Sequence, residues 1–287
     1  MPIDRDALLH WPIPDVRHVY SQRDSMLYAL GLGFGANPVE PRELDYVYEA
    51  RLRALPMMSV ILGYPGLWIA DPRTGVDWKA LLHGEQGFTI FKQLPPAGSV
   101  IGRTRVTDVV DKGVEKGALV FSQRDVTDEA TGELLCSLRS TSVLRADGGF
   151  GGPSGPSPPA HVLPQGAPNL VCDIATTPQS ALIYRLSGDY NPLHVDPEIA
   201  KAARFPRPIL HGLCTFGIAG HALVRAVCGY REHRLTSMHA RFTAPVFPGE
   251  TIRTEMWVDG EQVSFRATAL ERQVIALNNG IARVSPA

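Results

Sequence analysis

ILHGLCTFGIAGHALVRAVC, residues 209–228, decides the fold. The stretch is long, apolar and rich in small residues, the pattern of a helix buried on most of its sides. The chain beyond it is β-rich. Leu235–Phe242, Thr251–Asp259, Gln262–Leu270 and Val274–Val284 read as strands, with Gly260-Glu261 as a hairpin turn. Upstream of the helix, the start Thr177-Pro178 predicts a short helix from Thr177 to Leu186, and Pro197 to Ala203 a second one.

The first half repeats the plan. A helical opening, an irregular stretch and a second helix precede strands at Ser99–Asp111, Gly117–Asp128 and Glu133–Leu144. Three landmarks recur in the same order. Tyr28-Ala-Leu-Gly-Leu-Gly echoes Tyr184-Arg-Leu-Ser-Gly-Asp, Leu82-His83-Gly84 echoes Leu210-His211-Gly212, and Phe91 to Gly98 (FKQLPPAG) echoes Phe242 to Gly249 (FTAPVFPG). The shared order points to a degenerate duplication. Residues 147–168, DGGFGGPSGPSPPAHVLPQGAP, are dominated by glycine and proline and form a linker. The expected organisation is an N-terminal half over 1–146, the linker 147–168 and a C-terminal half over 169–287. A buried helix succeeded by consecutive antiparallel strands is an α+β layout. A sheet wrapping one long helix is the hot-dog arrangement, and two such halves make a double hot-dog fold.

Bulk properties narrow the function. The 287 residues carry a formal net charge of −1, which gives no field for nucleic acid. An anionic ligand would need a local basic patch. Cys136, Cys172, Cys214 and Cys228 lack CxxC or Cys/His metal spacing and read as reduced thiols of an intracellular protein. No run of 18 apolar residues is present, so no membrane span is expected. The N-terminus is not patterned as a signal peptide, and the terminal ARVSPA is not an SKL-type address, so a cytoplasmic location is expected over a peroxisomal one.

The chemistry-bearing stretch is YRLSGDYNPLHVDPEIA, residues 184–200. It gathers Asp189, Asn191 and His194 in a loop punctuated by Gly188 and Pro192. Loops on a rigid scaffold are where catalytic side chains concentrate. Turn chemistry alone accounts for Asp189 and Asn191, since both residue types cap helices and make Asx turns. Asp196, just before Pro197, reads as a helix cap. Two features favour chemistry instead. A carboxylate, an amide and an imidazole share one loop, and His211-Gly212 opens a buried helix whose first N–H groups are unpaired and carry positive dipole. A base, an acid and an oxyanion donor suit proton transfer beside a carbonyl.

Tyr184-x-Leu-Ser-Gly-Asp-x-Asn-Pro-Leu-His, with Ala200 beyond it, resembles the signature of the hydratase 2 family, also called MaoC-like dehydratases. ILHGLCTFG (209–217) and ARFTAPVFPGET (240–251) resemble its downstream blocks. LHGEQ (82–86), DKG (111–113) and GGFGG (148–152) resemble its two-domain eukaryotic-type members, which include the hydratase part of peroxisomal multifunctional enzyme type 2. The likeness runs from about Tyr28 to Val284.

The resemblance implies a double hot-dog enzyme that adds water reversibly to trans-2-enoyl-CoA, giving (3R)-3-hydroxyacyl-CoA. It implies Asp189 and His194 as the catalytic pair, Asn191 as an orienting residue and Gly212 as the backbone donor to the thioester oxygen. It implies substrate contacts from His83, Gly84, Lys112, Tyr190, Asn191, Gly212 and Phe242, with Arg241 and Lys92 as weaker phosphate candidates. The N-terminal half, whose counterpart loop GLGFGANP lacks both Asp and His, would house the acyl chain. No metal or cofactor is implied, because the net change is water and two proton transfers; CoA enters as part of the substrate. A homodimer is compatible with hot-dog sheet edges. The competing readings are a carrier-protein dehydratase, a hot-dog acyl-CoA thioesterase and a non-catalytic acyl-CoA-binding protein.

Overall fold

The computed structural model describes residues 3–155 and 159–286. Among them ten strands form one antiparallel sheet. The first half supplies β1 (Val16–Tyr20), β2 (Leu81–Ile90), β3 (Gly98–Asp111), β4 (Ala118–Asp128) and β5 (Leu134–Leu144). The second supplies β6 (Leu170–Ala175), β7 (Leu235–Phe242), β8 (Thr251–Asp259), β9 (Gln262–Ala269) and β10 (Val274–Val284). Their order is β1-β3-β4-β5-β2-β7-β10-β9-β8-β6. Read outward from the centre, each strand of one half has its counterpart in the other. The halves meet where β2 pairs with β7, with Glu85 opposite Arg241 and Thr89 opposite Ser237.

Five α-helices accompany the sheet: α1 (Arg5–Leu9), α2 (Gln22–Gly31), α3 (Ser180–Tyr184), α4 (Pro197–Ala202) and α5 (Gly212–Ala226). The long buried helix expected over 209–228 is α5. Phe216, Ile218, Ala219, Ala222 and Leu223 are buried in one core with Met238 and Ala240 of β7 and Met57 and Met58 of the first half. Burying each of the large side chains contributes roughly 1.5–3 kcal/mol relative to exposure. The expected short helix begins at Ser180 rather than Thr177, because Thr177 and Ser180 close a separate turn on each other.

The double hot-dog layout holds, with one departure. Among the described residues the first half keeps no long helix before β2. The corresponding stretch is a 3₁₀ turn over Pro56–Ile61 followed by irregular chain. Pro56 and Pro65 bracket it and Gly63 takes φ +58°, so few residues remain for a helix to propagate. Two echoes of the duplication survive in space. Tyr28 of α2 and Tyr184 of α3 lie together with ring centroids 5.9 Å apart. Phe91 comes just after β2 as Phe242 ends β7. The third does not: Leu82-His83-Gly84 lies within β2, whereas His211-Gly212 starts α5.

The linker is a strap laid on the protein over its described residues; 156–158 fall outside them. The Asp111 carboxylate accepts from the amides of Gly149 and Gly151, which pins the GGFGG segment. Further along, His161 meets the Ser264 hydroxyl at 2.8 Å, and Trp257 donates to the Gly166 carbonyl at 3.1 Å.

Candidate active site

α3 runs into a 3₁₀ turn, Arg185–Ser187, that stops at Gly188 with φ +112°. Glycine adopts this conformation without strain, and it redirects the chain into the Asp189 loop. Asp189 Oδ1 accepts from the Asn191 amide at 3.2 Å, and Asn191 Oδ1 accepts from the Leu193 amide at 3.0 Å. Two consecutive Asx turns thus feed the 3₁₀ turn Pro192–His194. Asp196 caps α4 through the Glu198 amide.

His194 is buried, and its Nδ1 lies 2.9 Å from the Ile209 carbonyl. A carbonyl only accepts, so Nδ1 carries the hydrogen and Nε2 keeps its lone pair. Burial holds the His194 pKa below its usual 6.5, against the pull of the Ile209 carbonyl and the Asp189 charge. The imidazole is therefore neutral near pH 7 and able to accept a proton.

His211 stacks on His194, with ring centroids 3.7 Å apart and planes inclined by 26°. Its Nε2 donates to the Asp189 backbone carbonyl at 3.1 Å, and its Nδ1 is buried without a partner. Burial, and then the His194 charge, push its pKa well down. Asp189, His194 and His211 each bring one polar atom within 4.8 Å of the others. With His194 Nδ1 and His211 Nε2 donating to backbone carbonyls, one nitrogen of each ring keeps a lone pair near the carboxylate.

Gly212 is the first residue of α5, and its amide donates to no acceptor among the described residues. A Cβ at this position would lie 3.3 Å from Phe242 Cε1, so glycine keeps the amide accessible beside that ring. Phe242 in turn packs on His83 of β2, centroids 4.7 Å apart. Burial pushes the His83 pKa down to about 4, opposed in part by the Asp189 charge, and its Nε2 is sealed without a partner. Both halves therefore face the loop. Beside Gly84 lies a cavity of about 350 Å³ walled by Leu119, Phe121, Val143 and Phe242, with the Glu85–Arg241 ion pair at its edge.

Gly84 and Phe242 line this space, His83 and Gly212 adjoin it through the Phe242 ring, and Asp189 and His194 gather with His211 next to Gly212. Other expected residues are placed differently. The Asn191 side-chain oxygen is committed to the Leu193 amide. Lys112 comes directly after β3 and donates to the Gly155 carbonyl at 3.0 Å. Tyr190 is 59% exposed beneath the Arg185 guanidinium. Arg241 pairs with Glu85, and Lys92 with Glu133, so neither cation is free for phosphate. The structure adds one side chain that the sequence reading does not single out, the His211 ring. In the sequence His211 marks only a helix start; its stacking appears once residues 189 and 211 are folded together.

Comparison with known proteins identifies the family. Residues 160–279 match the MaoC like domain, and residues 18–146 match the MFE-2 hydratase 2 N-terminal domain. The chain is 40% identical over 288 aligned residues to enoyl-CoA hydratase 2, peroxisomal, of Arabidopsis thaliana, covering 95% of this chain and 93% of that one. The chain belongs to the MaoC-like hydratase 2 family. Another relative is 3-hydroxyacyl-thioester dehydratase Y of Mycobacterium tuberculosis, 43% identical over 239 residues, covering 83% of this chain and 82% of that one. The crystal structure of a MaoC-like dehydratase from Phytophthora capsici has a TM-score of 0.86 at 35% identity, covering 98% and 99% of the two chains. In this MaoC-like chain the family match spans both halves, as the sequence resemblance implies.

Proposed function

We propose that this MaoC-like protein is a hydro-lyase that adds water reversibly to trans-2-enoyl-CoA, giving (3R)-3-hydroxyacyl-CoA. The observation that carries the reading is the convergence of the Asp189 carboxylate and the buried, singly protonated His194 beside the unpaired amide that opens α5. The Gly212 amide donates to the thioester oxygen. That polarises the conjugated carbonyl, makes the β-carbon electrophilic and stabilises the enolate-like transition state. A water sits between Asp189 and His194. His194 Nε2 takes one of its protons as the oxygen bonds to the β-carbon, and the Asp189 carboxylate holds the other hydrogen and steadies the imidazolium. The imidazolium then returns its proton to the α-carbon from the same face, so one water is added syn and the atoms balance. No metal or redox cofactor is required by this balance.

His83, Gly84, Phe242 and Tyr190 are the proposed substrate contacts, with Lys112 and Asn191 in supporting places. The half over 1–146 houses the acyl chain and the half over 169–287 performs the chemistry. The sequence supports that division, since Asp189 and His194 lie in the second half and the counterpart loop GLGFGANP of the first half lacks both residue types. No helix among the described residues is long and apolar enough to cross a membrane. A homodimer is part of the proposal, with the sheet-edge strands β1 and β6 as candidate contacts; light scattering on the purified protein tests it.

The deciding experiment monitors the enoyl-thioester absorbance of trans-2-decenoyl-CoA with chiral analysis of the product. Formation of (3R)-3-hydroxydecanoyl-CoA is expected. Asp189→Asn or His194→Ala should lower turnover by at least ~100-fold with the fold intact. Near-normal rates in either variant, or release of free CoA thiol instead of hydration, would overturn the reading.

A further inference from the structure

The catalytic loop is preceded by a cation whose charge is unanswered. Arg185 opens the turn that leads to Gly188 and Asp189. It forms no salt bridge and no side-chain hydrogen bond with the described residues, and its Nε is buried without a partner. Its guanidinium lies over the Tyr190 ring, with Cζ 4.9 Å from the centroid. Arg185 directly follows Tyr184, whose ring centroid lies 5.1 Å from that of His211, so it borders the site rather than a remote surface. Unanswered polar groups concentrate here: Tyr184 Oη, Ser187 Oγ, His211 Nδ1 and His83 Nε2 are also buried without partners.

The other cations considered for an anion are occupied. Arg241 is neutralised by Glu85 and Lys92 by Glu133, and Lys112 donates to the Gly155 carbonyl. Arg207 donates to the Pro248 carbonyl and lies over the Phe247 ring. A guanidinium cannot shed its charge near neutral pH, and it presents paired N–H donors that match a phosphate edge. Tyr190, largely exposed, holds Arg185 in place, while the terminal Nη groups of that guanidinium have no partner among the described residues.

We propose that Arg185, steadied by Tyr190, is the phosphate-binding residue for the carrier arm of the thioester substrate. The inference rests on the thioester reading above and deepens it. Phosphate is the chemistry shared by coenzyme A and by the phosphopantetheine arm of a carrier protein; plain pantetheine lacks it. Arg185 is a specificity residue that acts on binding, and the proton transfers stay with Asp189 and His194.

The test compares Arg185→Ala with the unaltered protein on three trans-2-enoyl thioesters: of coenzyme A, of 4′-phosphopantetheine and of pantetheine. The KM for the phosphate-bearing thioesters should rise at least ~10-fold with kcat nearly unchanged, and the pantetheine thioester should respond less than ~2-fold. A rise for the coenzyme A thioester alone assigns Arg185 to a nucleotide phosphate; a rise for both assigns it to the phosphate next to pantetheine. Arg185→Lys should recover part of the loss. An equal loss on all three thioesters, or no change on any, overturns the proposal. Calorimetric binding of free coenzyme A to both proteins needs no turnover. Weakened binding in Arg185→Ala supports the phosphate role even if hydration is not observed, and equal binding defeats it even if hydration is.

Discussion

His194 and His211 lie face to face, 3.7 Å between ring centroids, although 16 residues and α4 separate them in the chain. Because His211 also donates to the Asp189 carbonyl, one neutral imidazole fixes both partners of the proposed catalytic pair. It does so from the residue that caps α5, so the loop and the proposed oxyanion donor are held in one frame. His211→Phe keeps a flat ring against His194 but loses the hydrogen bond; His211→Ala loses both. The expected fall in kcat is about 10-fold for Phe and about 100-fold for Ala, the scale at which small misplacements of reacting groups act. Steady-state kinetics with thermal melts checks this. Full kcat in His211→Ala would show that the loop holds itself.

The acid limb of activity should lie low. The proposed mechanism needs neutral His194, and burial holds its pKa below 6.5. Hydration kcat/KM should therefore stay level through neutral pH and fall only below 6.5, as Nε2 becomes protonated in the free enzyme. A midpoint at or above 6.5 in the pH–rate profile would contradict the assignment of His194 as base.

Stability should respond to acid for a related reason. His211 and His221 are buried, and burial pushes the His221 pKa down to about 4 from 6.5. Below 6.5 the unfolded chain binds protons at these sites while the folded chain does not, so stability is lost as pH falls. For His221 the loss levels off below about 4, where both states are protonated. Each histidine contributes a slope of about 1.4 kcal/mol per pH unit within its window. Urea unfolding at pH 7.5 and 5.0 should show a clear drop, and a flat profile would mean these rings are not sealed.

Glu43 is a structural counterpart to the site residues. It is buried in the first half, yet its carboxylate accepts from Tyr230 Oη at 2.9 Å and from the Gly35 amide at 2.7 Å. It thus ties the chain between α2 and the Pro56–Ile61 turn to the segment beyond α5. Glu43→Ala strands both donors and should cost roughly 2–5 kcal/mol. Chemical denaturation reads the loss directly, while activity per folded molecule should be unchanged.

The long strands and α5 are legible in the sequence because their signals are local. Alternation and turn residues place β7, β8 and β10 at their observed ends, and small apolar residues mark α5. β2 is hidden for a physical reason. Its Leu82-His83-Gly84 reads as the echo of the helix start at His211-Gly212, but a Cβ at 84 would stand 2.8 Å from Val143 Cγ2 and one at 87 would stand 2.9 Å from His239 Cδ2. Glycine is there because neighbouring strands crowd the backbone, which no local pattern reveals. The same limit applies to the site. Asp189 and His194 announce themselves by spacing. The His211 ring, the Phe242–His83 contact and the ion pair that occupies Arg241 depend on strands and loops distant in sequence.

The last prediction isolates a single backbone hydrogen. Gly212 is the first residue of α5, where proline is tolerated, and His211 before it has the extended φ −57°, ψ 135° that a succeeding proline favours. Gly212→Pro therefore removes the proposed oxyanion donor while remaining compatible with the helix start. It also adds atoms beside Phe242, but Gly212→Ala does the same and keeps the N–H. The difference between the two variants reports the hydrogen bond to the thioester oxygen. kcat for the proline variant should lie about 10²–10³-fold below that of the alanine variant, the range for loss of one such donor. Comparable melting temperatures would show that both fold alike. Equal rates would mean that the amide does not meet developing charge, and the carbonyl would then have to be polarised from elsewhere in the loop.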